Sequence, residues 1–283
     1  MSLHKRVLIA NRGEIAIRIA KAAKALGMES IAVYAPVDAL SLHTRVTTQA
    51  QAIGQDGGQD GGQDAVAAYL DGAALIRIAK EMHCDCIHPG YGFLSENTNF
   101  ATMCAAEDIA FIGPSASALQ LFGDKVTARA LAQSCGIPVV SGSTAALNSS
   151  NEAREIANGI GYPIMLKAAA GGGGRGMRAV ASDGELVDAF ERCQSEAAAA
   201  FGDGSIFIEK LVERPRHIEV QILADTQGRT VHLHERDCSV QIRNQKVIEI
   251  APAAGLDRAL RQNMLDDAIK LAKEADYVNA GTV

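Results

Sequence analysis

The stretch from Arg6 to Tyr34 constrains the fold more than any other part of the chain. Val7-Leu8-Ile9 is a short β-type run, followed by the turn Asn11-Arg12-Gly13-Glu14. Ile15, Ile19, Ala22, Ala23 and Leu26 then recur at helical spacing. Gly27 is placed to terminate that helix, and Ser30 to Tyr34 reads as a second strand. Strand, helix and strand in this order predict a parallel sheet with a right-handed crossover. A dinucleotide-binding turn needs three glycines, and this one has only Gly13, so the fold is read without that cofactor.

With 283 residues, 48% of them hydrophobic, the chain can bury a sizeable core as one large domain or two to three small ones. A net charge of -6 argues against nucleic acid as the main partner. No apolar run is long enough to span a bilayer. Met1 to Arg6 leads into a strand rather than a signal-type apolar segment. The six cysteines are scattered; Cys84 and Cys86 are expected on one face of a strand, with no second pair nearby to suggest zinc. Free thiols in a reducing cytosol, and so a cytoplasmic protein, are the expectation.

Farther along, Gln55 to Gln63 is an acidic tandem repeat expected to form a flexible surface loop. A helix is expected from Gly72 to Met82, and a strand ending at His88 leads into Pro89-Gly90-Tyr91-Gly92-Phe93-Leu94-Ser95-Glu96-Asn97. Such residues on a loop at a strand's C-terminal end suit a site, and equally a packed structural turn. Helices follow over Thr98 to Glu107, Ser117 to Phe122 and Val126 to Ser134, and Asn148 to Asn151 offers an N-cap for a helix over Glu152 to Gly159.

Between the apolar runs Tyr162 to Leu166 and Met177 to Val180 lies Lys167-Ala-Ala-Ala-Gly-Gly-Gly-Gly-Arg175-Gly176. Consecutive glycines cost backbone entropy and offer bare N–H groups that can wrap an anion. Lys167 and Arg175 flank them with cations, which points to a polyphosphate. No Gly-Lys-Ser/Thr follows, so this is not a Walker A loop. With a helix from Asp183 and the strand Ile206-Phe207-Ile208, the segment reads as a small lid module. Arg216 to Asp225 alternates polar and apolar residues, Gly228 turns, and Thr230 to Arg236 returns antiparallel. Asp237-Cys238-Ser239 reads as a break, Val240 to Ile250 as a further strand, and Asp257 to Asp276 as a helix. Another strand is expected after Gly281-Thr282, so the last domain is expected to be cut off at Val283.

In this order the pieces resemble the biotin carboxylase domain of biotin-dependent carboxylases, a family of ATP-grasp enzymes. The carrying stretches are Ile9 to Ala16, His88 to Asn97, Phe122 to Lys125, Lys167 to Met177, Glu209-Lys210 with Pro215 to Glu219, and Glu235 to Ser239. The resemblance implies an α/β (overall α+β) fold. It comprises a Rossmann-like parallel sheet of the PreATP-grasp type over 1–122 and a helical connector over 123–138. An ATP-grasp lid over 139–211 and the first part of an antiparallel-sheet ATP-grasp domain over 212–283 complete it.

By the same resemblance Lys125 and Lys167 hold ATP phosphates, and Gly171, Gly172, Gly173, Gly174, Arg175 and Gly176 close over them. Glu209, Lys210, Leu211 and Val212 line the adenine pocket, His217 contacts the ribose, and Gln241 and Asn244 lie at the nucleotide site. Lys246 binds bicarbonate, while Tyr91 and Glu96 face the bicarbonate and biotin side. Phosphoryl transfer supports such a set independently, because it needs cations and N–H donors around the γ-phosphoryl oxygens.

The implied activity is ATP-dependent carboxylation of carrier-bound biotin with bicarbonate, through carboxyphosphate, with Mg2+ or Mn2+ bridging phosphates. The implied partners are a biotin carboxyl carrier and a carboxyltransferase, which sets the final acceptor (acetyl-CoA, propionyl-CoA, pyruvate or urea); members often pair as homodimers. Most members carry Arg and His where this chain has Ile242 and Asn244, and often Glu where it has Ile250; the Gln55 to Gln63 repeat resembles an insertion. The resemblance places the metal-binding glutamates and the catalytic and biotin-binding arginines beyond Val283. No carboxylate in hand is therefore assigned to metal, and the chain as given is expected to bind ATP weakly at best and not to carboxylate biotin. Two other readings stay open: a bicarbonate-activating ligase of the carbamoyl-phosphate synthase type, and a nucleotide-binding module without catalysis.

Overall fold

In the computed structural model of the protein, residues 4–54, 65–169, 176–242 and 245–283 are described. Two units divide the chain, Met1–Gln120 and Leu121–Val283.

The first unit is built on a parallel sheet. Its strands are β1 (Arg6–Ile9), β2 (Glu29–Tyr34), β3 (Gln49–Ala52), β4 (Cys86–His88) and β5 (Ala110–Phe111), in the order β3-β2-β1-β4-β5. Val7, Leu8 and Ile9 are all buried because helices cover both faces. Leu8 packs with Ile31, Val33 and Ile87, whereas Ile9 packs with Ala16, Ile19 and Ala20 of α1 (Gly13–Ala25). The end of α1 follows the expectation for Gly27, which takes φ +73° while the Met28 N–H returns to the Ala23 carbonyl at 2.9 Å. Helices α2 (His43–Val46), α3 (Ala65–Tyr69), α4 (Gly72–Glu81) and α5 (Thr98–Ala106) complete the crossovers, and α6 (Ala116–Gly123) leads into the second unit. The chain runs outward from β1 to β3 and then returns to β4 on the other side of β1. The turns after β1 and β4 therefore meet at the reversal of strand order, where open α/β sheets place their ligand crevices.

The second unit holds two antiparallel sheets. In the first, β7 (Met177–Val180), β6 (Ile164–Ala168) and β8 (Ile206–Lys210) lie in the order β7-β6-β8. Helices α8 (Ser150–Ile160) and α9 (Asp183–Phe201) share its core, with Ala153, Ile164, Leu166, Phe190, Ile206 and Ile208 buried together. Alternation along β6 buries Ile164, Leu166 and Ala168 and turns Lys167 to the other face. In the second sheet β9 (Ile218–Ala224), β10 (Thr230–Ile242), β11 (Gln245–Ile250) and β12 (Asn279–Thr282) take the order β11-β10-β9-β12. Val220 and Ile222 of β9 pack on Leu265, Ala268 and Ala272 of α10 (Arg258–Glu274). Helix α7 (Lys125–Ser134) is capped by the Asp124 side chain and meets α10 where the Lys270 ammonium donates to the Cys135 carbonyl.

Several expectations change. Asp237-Cys238-Ser239 does not break the strand: β10 runs through it with register shifts between Asp237 and Gln241, because the Asp237 carboxylate accepts from the backbone N–H and hydroxyl of Ser239 at 3.0 and 2.5 Å. Cys84 precedes β4 and packs in the cluster containing Leu8, whereas Cys86 packs with Val7 and Ala23, so the two thiols do not share one strand face. Gly281 and Thr282 already lie in a strand, β12, paired with β9. The Gln55 to Gln63 repeat lies outside the described residues. None of the helices among the described residues is long and apolar enough to cross a membrane.

Candidate functional site

The four-stranded sheet presents its face away from α10 as a charged platform centred on Glu219. Alternation along β9 puts Val220 and Ile222 on the helix side and Glu219 and Gln221 on the other. Arg236 stands opposite Glu219 in register and donates to its Oε1, and the Lys246 ammonium of β11 donates to its Oε2. Arg236 also donates to Gln221 at 2.8 Å and approaches Glu249 at 3.2 Å. His217 Nδ1 is 2.8 Å from the Gln241 amide nitrogen, and its Nε2 is 3.9 Å from Glu219. Glu219 is only 6% exposed. Burial opposes its charge, yet Lys246 and Arg236 hold its carboxyl below the usual glutamate range. The sheet thus gathers His217, Gln241 and Lys246, expected separately from the sequence, around a carboxylate and an arginine that carried no expected role.

The Glu235-Arg236-Asp237-Cys238-Ser239 stretch explains how this is built. Buried Glu235 faces α10, accepting from Arg261 Nε at 2.8 Å, while Arg236 faces the platform. Asp237 accepts from Ser239 and, at 2.7 Å, from Arg216, which together draw its pKa down to about 2, and Ser239 Oγ accepts the His217 backbone N–H at 2.9 Å.

A second cluster lies on the three-stranded sheet. Lys167 of β6 donates to Glu209 of β8, and Arg129 of α7 approaches the other Glu209 oxygen at 3.8 Å. Lys125, the first residue of α7, reaches the Ala168 carbonyl at 3.5 Å. Its pKa is lowered by burial and then by the charge of Lys167, with Glu209 opposing. Lys210 points elsewhere: its ammonium donates to the carbonyls of Gly161 and Tyr162 at 3.0 Å each. The Leu211 N–H donates to the Pro163 carbonyl, and Val212 is exposed. The Gly176 carbonyl accepts the Ala168 N–H at 2.8 Å, closing the neck of the glycine loop. Gly171, Gly172, Gly173, Gly174, Arg175 and Asn244 lie outside the described residues.

In the first unit the turns after β1 and β4 border an open pocket of about 460 Å³ lined by Arg12, Glu14, Asp38, Tyr91 and Phe93 among others. The Tyr91 hydroxyl donates to Glu14, whereas Glu96 is exposed. Arg12 forks onto Asp38 at 2.9 and 3.1 Å, which raises the guanidinium pKa, and the Tyr69 hydroxyl donates to Asp38 at 2.7 Å.

Mg2+ is the metal implied by the resemblance, and among the described residues no clustered donor set fits it. Among the described residues, one candidate group, His4, Asp85 and Cys86, contains a thiol and an imidazole. The group beside the platform is Glu219, Cys238 and Glu249. Glu219 is committed to Lys246 and Arg236, Glu249 lies against Arg236, and a thiol is a poor ligand for a hard cation.

The sequence matches two family models end to end. Residues 3–119 match the N-terminal domain of biotin carboxylase, and residues 124–283 match the ATP binding domain of the carbamoyl-phosphate synthase L chain. The chain belongs to the biotin carboxylase family. It is 49% identical over 278 residues to the biotin carboxylase of Nostoc, covering 98% of this chain and 61% of that protein. It is 51% identical over 279 residues to the mitochondrial pyruvate carboxylase of Homo sapiens, covering 99% of this chain and 23% of that protein. The chain therefore spans less than two thirds of either relative. The biotin carboxylase domain of the 2-oxoglutarate carboxylase from Hydrogenobacter thermophilus, solved as a dimer with MgADP, ADP and bicarbonate, superposes with a TM-score of 0.93 at 42% identity. That match covers 100% of this chain and 60% of that one.

Proposed function

We propose that the protein uses ATP to activate bicarbonate and carboxylates biotin held on a carrier. The observation that carries this reading is the platform at Glu219, where a buried carboxylate fixes Arg236 and Lys246 side by side. An ammonium has three donors, and Glu219 is the partner for one of those of Lys246, so the group can hold a small anion without losing its anchor. Bicarbonate, present with MgADP in the Hydrogenobacter structure, is such an anion. Lys125 and Lys167 supply the charge for the nucleotide phosphates, with the glycine loop as their cover, and His217 and Gln241 serve the ribose side. Glu209 to Val212 border the base, and Tyr91 and Glu96 belong to the biotin side. Mg2+ would arrive with the nucleotide, as the Hydrogenobacter complex with MgADP suggests.

In this reading a bicarbonate oxygen attacks the γ-phosphorus as the bond to ADP breaks. Lys125, Lys167 and Arg175 offset the charge that spreads over the transferring oxygens. Carboxyphosphate then breaks its C–O bond to give CO₂ and phosphate, and the ureido nitrogen bonds to the CO₂ as its N–H proton passes to the released phosphate. A carboxyltransferase and a carrier, on this protein or on partners, complete the transfer. The ATP-binding match to carbamoyl-phosphate synthase favours a second reading, with ammonia as acceptor. In the natural full-length protein, ATP hydrolysis should depend on bicarbonate and be stimulated by biotin and not by ammonia. Stimulation by ammonia alone selects the second reading, and hydrolysis indifferent to bicarbonate overturns both.

A further inference from the structure

Asn11 is a short polar side chain that is only 3% exposed. Its amide nitrogen donates to the carbonyl of Pro89 at 2.7 Å and to that of Tyr91 at 2.8 Å. Its amide oxygen accepts the Arg12 backbone N–H at 2.8 Å. Both donors are thus spent on a loop almost eighty residues away in sequence (about 78–80 positions), and the acceptor fixes the amide's orientation. Gly90 sits between the two bonded carbonyls at φ +67° and packs on the same amide, where a Cβ would stand 2.7 Å from Asn11 Nδ2. The loop is tied on either side as well. The Ala10 N–H donates to the His88 carbonyl at 2.9 Å, the Gly90 N–H donates to His88 Nδ1 at 3.1 Å, and the Tyr91 hydroxyl donates to Glu14. Farther on, Phe93 stacks on Tyr69 with ring centroids 5.2 Å apart.

Tyr91 is 61% exposed, so burial does not fix its ring; the bond to Glu14 and the backbone beneath it do. We infer that Asn11, with Gly90 as its fitted counterpart, is a positioning residue that sets where the Tyr91 loop presents its side chains to the carboxylation chemistry. This rests on the proposed function, in which that loop serves the biotin side. Asn11 touches no reacting atom; it acts through the carbonyls of Pro89 and Tyr91. A buried amide satisfied at both ends costs little while its partners stay in place, and it strongly penalises any shift that strands its donors.

Asn11→Asp keeps the shape and the acceptor but turns a carboxylate on two carbonyls. Gly90→Ala pushes a methyl group into the same amide from the loop side. In the natural full-length protein both should lower kcat/KM for biotin by about 10- to 100-fold, the scale of a misplacement near 1 Å. The KM for ATP should stay within about twofold, because Lys125 and Lys167 are untouched. Amide hydrogen exchange over residues 90–97 should rise in both variants. Variants that fold, hydrolyse ATP with bicarbonate and match the parent in biotin kcat/KM overturn the inference and leave the proposed function standing. A parallel loss in ATP KM and biotin kcat/KM also overturns it, as the mark of a merely structural residue. A parent without bicarbonate-dependent hydrolysis overturns the proposed function, and the positioning role with it.

Discussion

Two carboxylates in the second unit each gather cations, and they differ in how firmly they are set. The Glu219 side chain is 8% exposed, belongs to the middle of a four-stranded sheet, and has Arg236 on one oxygen and Lys246 on the other. The Glu209 side chain is 23% exposed and lies at the end of a three-stranded sheet, with Lys167 bonded and Arg129 no nearer than 3.8 Å. The Glu219 cluster has its geometry fixed by strand register, which suits the small anion whose orientation decides the reaction. The Glu209 cluster joins α7 to the neck of the glycine loop, which suits a longer, more tolerant polyphosphate that a lid closes over. In the proposed reaction the rigid cluster would orient the attacking anion, and the adjustable one would offset charge on the nucleotide phosphates.

The sharpest way to break this contrast is to remove the ammonium proposed to bind the anion. Lys246→Ala should lower bicarbonate-dependent ATP hydrolysis by about 10²- to 10³-fold, the usual loss for one charge-stabilising donor. Unchanged turnover would remove Lys246 from the chemistry. Next in size is the difference in anchoring. Glu219→Gln leaves two cations without their buried partner and should cost about 3 kcal/mol in urea unfolding. Glu209→Gln, in a wetter place, should cost about 1 kcal/mol or less. Equal costs would mean that the two clusters are equally set and would dissolve the contrast.

The smallest effect is in pH. The folded-state pKa of Glu219 lies below its ordinary value of 4.5, so the native protein binds fewer protons there than the unfolded chain. Its contribution to stability is therefore complete above about pH 4.5 and is lost as pH falls through the lower folded value. Acid unfolding followed by circular dichroism should be less steep below pH 4.5 in Glu219→Gln than in the parent. A slope that does not change would place the stabilising charge elsewhere.

Much of this was legible in the sequence. The first sheet followed from the periodicity of Ile15 to Leu26 and from Gly27, which are local signals. Lys125, Lys167 and Lys246 were legible only through their motifs, since a lysine's neighbours leave no mark on its own stretch. Glu219 was missed because alternation along 218–224 marks it as a polar position and so suggests solvent; its burial comes from β10 and β11. Asp237 to Ser239 looked like a turn because Asp and Ser favour turns, and the structure keeps the strand by satisfying those side chains within it. Asn11 stood in a turn and in a family motif, but nothing local to it points to Pro89 and Tyr91, 78 and 80 residues farther on. Arg129 was likewise silent, an ordinary polar position on α7 until the fold brings it to Glu209.

The central claim is that bicarbonate, not water, takes the phosphoryl group. Bicarbonate labelled throughout with oxygen-18, supplied with ATP and biotin to the full-length protein, reports this directly. The attacking oxygen stays on phosphorus when carboxyphosphate breaks its C–O bond. Mass spectrometry should therefore find one labelled oxygen in each phosphate released. Phosphate that carries no label would show that water attacked instead, and would contradict the account.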